Sequence, residues 1–106
     1  MNDAPNIKII LPDGFDDRRR FETPLRGYLS DVVVELEDSH RYAVYFIDPI
    51  RLQQDLDEAV KSGRHFLAEP GMIVLPQVTL EAINETVHQL CREKYFEKCQ
   101  PVQDER

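Results

Sequence analysis

Tryptophan is absent from this 106-residue chain, cysteine occurs twice and glycine only four times. The glycines stand far apart, so no G-x-G-x-x-G turn and no phosphate-cradling loop can be assembled, and nucleotide binding by those routes is excluded. Cys91 and Cys99 lack a C-x-x-C spacing and are too few for a disulfide framework, which suits a reducing compartment. No apolar run approaches the roughly 18 residues that a bilayer crossing needs. The N-terminal Met1-Asn2-Asp3-Ala4-Pro5 also lacks the basic and apolar segments of a signal peptide. The expected address is cytoplasmic, with no membrane partner.

Positive charge is in deficit. The formal net charge is −7, from 13 Lys and Arg against 20 Asp and Glu. Such a surface repels a phosphate backbone, so no nucleic-acid partner is expected. Residues 1–27 carry 5 charges of each sign, whereas residues 28–106 carry 8 positive and 15 negative. The acidity therefore belongs to the later part of the chain.

Reactive constellations are also missing. His40, His65 and His88 fit no established zinc spacing, and Cys91, three residues after His88, belongs to an apolar stripe. Ser30, Ser39 and Ser62 have no G-x-S-x-G context. Asp48 stands at a strand-to-helix junction where acids often act, but helix capping already explains it, and Arg51 beside it reads as a surface ion pair. No catalytic residue, metal site or cofactor is assigned.

What is present is one pattern written twice, an apolar strand region followed by a capping signal and an amphipathic helix. Residues 6–11 are β-branched and end at Pro12-Asp13-Gly14, which predicts a first strand and a turn. Residues 15–27, with Arg18, Arg19 and Arg20 in sequence and Thr23-Pro24 opposing helix, are expected to be an irregular loop. Residues 29–47 predict a hairpin turning at Asp38-Ser39-His40, which pairs Leu36 with Tyr42, Val34 with Val44 and Val32 with Phe46 on a core face. Its other face carries Asp31, Glu35, Glu37 and Tyr45. Asp48-Pro49 opens a helix that stops near Gly63, with Leu52, Leu56, Ala59 and Val60 on one side. Around Pro70-Gly71 a type II turn is expected to join residues 66–68 and 72–75 as a second hairpin. Thr79 then caps a helix with Leu80, Ile83, Val87, Leu90 and Cys91 in one stripe, and a frayed tail follows Phe96.

These elements predict a single α+β domain over residues 1–106. The expected form is a two-layer sandwich of a five-strand, mainly antiparallel sheet with two helices on one face, ordered β-β-β-α-β-β-α, with residues 1–5 and 97–106 as flexible ends. Hairpins and helices exchanged between two chains are the alternative. With no site motif, the expected function is a small cytoplasmic protein-interaction or regulatory module without a catalytic site. Its candidate binding surface is Arg18, Arg19, Arg20, Asp31, Glu35, Glu37 and Tyr45, and its partner is another protein or a second copy in a homodimer joined at open sheet edges. The alternative from another class is a small enzyme that grips an anionic substrate through Arg18 to Arg20 near the helix starts.

Overall fold

A computed structural model of the chain describes residues 6–102. Its elements run β1 (Lys8–Ile10), α1 (Asp17–Arg26), β2 (Tyr28–Glu35), β3 (Arg41–Ile47), α2 (Pro49–Lys61), β4 (Met72–Val74) and α3 (Leu80–Arg92), followed by a 3-10 helix, Tyr95–Lys98. The sheet has four strands in the order β1-β2-β3-β4. β1 and β3 flank β2 antiparallel, and β4 pairs with β3 in parallel. The α+β class is as expected; the five-strand sheet and the order β-β-β-α-β-β-α are corrected to a four-strand mixed sheet and β-α-β-β-α-β-α.

The extra helix comes from the arginine segment, which was expected to be a loop. Asp16 caps it by accepting the Arg19 N–H at 2.9 Å, and Gly27, at φ 78°, closes it with an N–H to the Thr23 carbonyl at 2.9 Å. Pro24 stands in the last turns and removes a single bond, the one to the Arg20 carbonyl, so the helix tolerates it.

The missing strand is residues 66–68. The Pro70-Gly71 turn does form, with Gly71 at φ 75° and the Met72 N–H on the Glu69 carbonyl at 3.2 Å. Because α2 carries the chain back across the sheet, the strand leaving that turn runs parallel to β3 and pairs there, leaving no partner for a hairpin. Gly71 sits directly on β3: its carbonyl accepts the Tyr45 N–H at 3.0 Å, and a Cβ there would collide with the Ala43 carbonyl oxygen.

The first hairpin keeps its predicted faces and shifts its partners. Val34 faces Tyr42 and Val32 faces Val44, around a loop of Glu37, Asp38 and Ser39 in which Ser39, at φ 71°, takes the position that glycine commonly fills. Cross-strand partners move by two places, which preserves the face that a shift of one would reverse. The core then assembles as the pattern requires. Leu29, Val32, Val34, Tyr42, Val44 and Phe46 from the sheet meet Leu75, Val78, Ile83, Val87 and Phe96, with Leu80, Leu90 and Cys91 at its margin.

α2 is capped as read: Asp48 accepts the Arg51 N–H at 2.8 Å, Pro49 is the first helical residue, and Gly63 follows at φ 94°. It does not join α3 on the core face. No α2 residue is fully buried or packed on the core cluster, and Ile50 and Val60 are 72% and 56% exposed. The segment after Phe96, expected as a tail, buries Phe96 against the Tyr42 ring at 5.2 Å between centroids and brings the Val102 N–H to the Arg41 carbonyl. The expected flexible ends at residues 1–5 and 103–106 lie outside the described residues.

Candidate binding groove

The face of the sheet opposite the core is shaped by an irregularity in β2. Leu29 and Val32 are three residues apart, so simple alternation would send them to opposite faces, yet both are buried in the core. A shift of register between them absorbs the extra residue, and Asp31 adopts φ 62° within it. This is a β-bulge, a device that re-aims side chains at sites. Tyr28, next to Leu29, and Tyr45, between Val44 and Phe46, thereby share the outer face.

Two other segments close around them. Gly27 lets the end of α1 touch the start of α2: the Asp48 N–H donates to the Gly27 carbonyl at 2.8 Å, and a Cβ on Gly27 would lie 2.8 Å from Asp48 Oδ2. This contact sets the first turn of α2 beside β2. The Arg51 guanidinium lies 4.1 Å from the Tyr28 ring centroid, donates through Nε to Asp55 at 3.0 Å and reaches the Arg26 carbonyl at 3.2 Å. From the other side, the turn on β3 delivers Glu69 and Pro70. The result is an open groove of about 410 Å³ lined by Tyr28, Ser30, Asp31, Tyr45, Arg51 and Glu69 around a floor of Ala43.

Its electrostatics are unbalanced. Arg51 is matched by Asp55, whereas among the described residues neither Asp31 nor Glu69 has a cation within ion-pair distance. Partial burial raises the Tyr45 phenol above its ordinary value of 10.0, and the Asp55 carboxylate raises it further. Tyr45 therefore stays protonated at neutral pH and can donate a hydrogen bond. Arg51 already covers the Tyr28 ring, so the Tyr45 ring and the two unmatched carboxylates are what the groove offers to a cation that carries an apolar stem.

Of the seven residues read as a candidate surface, the structure brings Asp31 and Tyr45 together in this groove and sets Glu35 and Glu37 beside a separate cleft at the other end of the hairpin. Arg18 pairs with Glu22 at 3.1 Å, Arg20 with Glu81 at 3.2 Å, and Arg19 lies over the Phe15 ring at 5.7 Å, so the three arginines diverge around α1. Glu35 pairs with Arg41 at 3.1 Å, and Glu37 accepts the Asn6 N–H at 3.2 Å at the far end of the hairpin. Tyr28 and Glu69 escaped the sequence reading, and Arg51 entered it only as a surface ion pair. Glu69 could be placed on β3 only by knowing that β4 pairs in parallel. His88 bonds the Asn84 carbonyl through Nδ1 at 2.8 Å, and burial raises the pKa of the Cys91 thiol. Comparisons with protein-family models, curated proteins and solved structures find no match for this chain.

No helix among the described residues is long and apolar enough to cross a membrane.

Proposed function

We propose that this chain is a protein-interaction module without a catalytic site of its own, and that its groove holds a lysine or arginine side chain of a partner protein. The observation that carries the reading is Asp31. A non-glycine residue in the left-handed region is conformationally unfavourable by about 1 kcal/mol, and here it places a carboxylate without a cation beside Tyr45. The net charge of −7 favours approach of a basic partner. The reading as an enzyme for anionic substrates has less to stand on, since Arg18, Arg19 and Arg20 diverge around α1 and so do not grip one small anion together.

Affinity capture from native extract, with mass spectrometry, tests this. The wild-type protein should retain a basic partner that is released by raised salt, and Asp31→Asn combined with Glu69→Gln should lose it. Equal retention by the double variant would overturn the groove as the binding surface. Self-association belongs to the same proposal through the outer edges of β1 and β4, each only three residues long. Light scattering at micromolar concentration checks it, a mass near 12.4 kDa at every dilution being the result that removes the homodimer.

A further inference from the structure

We infer that the outer face of α1 is a second docking surface, one that takes an amphipathic helix of a partner protein with acidic residues beside its apolar stripe. Thr23 marks the inner face of α1, where it is buried and its hydroxyl bonds the Arg19 carbonyl at 2.6 Å. Phe21 and Leu25, four residues apart and so neighbours on one helical face, point away from it and are 73% and 75% exposed. Scattered single apolar residues on a surface need no explanation, but an adjacent phenyl and isobutyl group on one short helix form a patch.

The charge beside this stripe selects the partner. α1 holds four arginines against Asp17 and Glu22, in a chain whose overall balance is strongly negative. Arg18 and Arg26 share the single carboxylate of Glu22, at 3.1 and 3.3 Å, so one positive charge is left over on that flank. On the other flank Arg20 meets Glu81 with both side chains more than half exposed, a pair weak enough to be exchanged for an incoming carboxylate. An apolar stripe with arginines on both sides is complementary to a helix whose own stripe is flanked by Asp or Glu. A basic helix would be repelled here, as an acidic one would be at the groove.

The probe is a fluorescein-labelled synthetic helix with leucines at i, i+4 and i+7 and glutamates flanking them, read by anisotropy. It should bind the full chain, weaken as salt rises, and bind Phe21→Ser or Leu25→Ser at least about tenfold less tightly. A peptide with lysines in place of the glutamates can bind only through the groove, so its binding should be unaffected by Phe21→Ser and lost in Asp31→Asn combined with Glu69→Gln. Binding of the lysine peptide that Phe21→Ser weakens, or unchanged binding of the glutamate peptide by Phe21→Ser and by Arg18→Ala, would overturn the inference. Both serine variants should keep the parent thermal midpoint; a large fall would place Phe21 or Leu25 in the fold and also overturn it. So would a dimer that Phe21→Ser converts to monomer, since the face would then belong to a second copy. Failure of the glutamate peptide to bind leaves the groove untouched, since the groove uses different residues and takes the opposite charge.

Discussion

Asp31 and Gly71 set the groove through their backbone conformations, one by distorting β2 and the other by letting a turn settle on β3. Gly71 has two separate reasons to be glycine: its φ of 75° and the Ala43 carbonyl where a Cβ would be. Gly71→Ala should therefore lower stability by about 2 kcal/mol or more, the sum of left-handed strain and displacement of the turn. Urea unfolding measures this, and a change within about 0.5 kcal/mol would show that the turn is not seated on β3 as described. The Pro70-Gly71 turn was legible in the sequence because its chemistry is local. Asp31 was legible only as an exposed acid. Its backbone conformation follows from where Leu29 and Val32 are both buried, and that depends on the partner strand and α3 together.

Among the elements, α3 and α2 look equivalent in sequence, each a capped amphipathic helix after an apolar strand. They are not equivalent in packing. Val87 and Ile83 are fully buried under the sheet, where each contributes about 2 kcal/mol of apolar burial, while Leu56 is only partly covered. Val87→Asp should abolish cooperative folding, since a buried carboxylate without a partner exceeds the stability of a domain this size. Leu56→Asp should leave a folded protein, weaker by about 1 kcal/mol. Circular dichroism during urea titration separates the two, and similar losses for both would restore α2 to the core. The caps Asp48 and Thr79, and the stripe of α3, were readable because they rest on residues three or four apart. Which face α2 covers was not, because periodicity shows that a helix has an apolar side without showing what that side meets. α1 was missed for a related reason: Pro24 signals against helix locally, and the Asp16 and Gly27 caps that outweigh it stand at the two ends.

At the scale of the whole molecule, β1 through β4 form a thin support with a packed face and an open one. α3 and the 3-10 helix complete the core on one side, and on the other the first turn of α2 and the Glu69 turn leave a channel over Tyr28 and Tyr45. The composition already pointed to an acidic domain without reactive motifs, and the fold sets two of its unmatched carboxylates, Asp31 and Glu69, beside that channel. That placement is the central claim, and amide NMR titration tests it most directly. A blocked Gly-Arg-Gly peptide should produce saturable shifts at the amides of Tyr28, Asp31, Tyr45 and Gly71, which shrink in Asp31→Asn, while Gly-Glu-Gly should leave them unmoved. Absence of saturable shifts at millimolar arginine peptide, or equal shifts with the glutamate peptide, would contradict the groove as a site for a basic side chain.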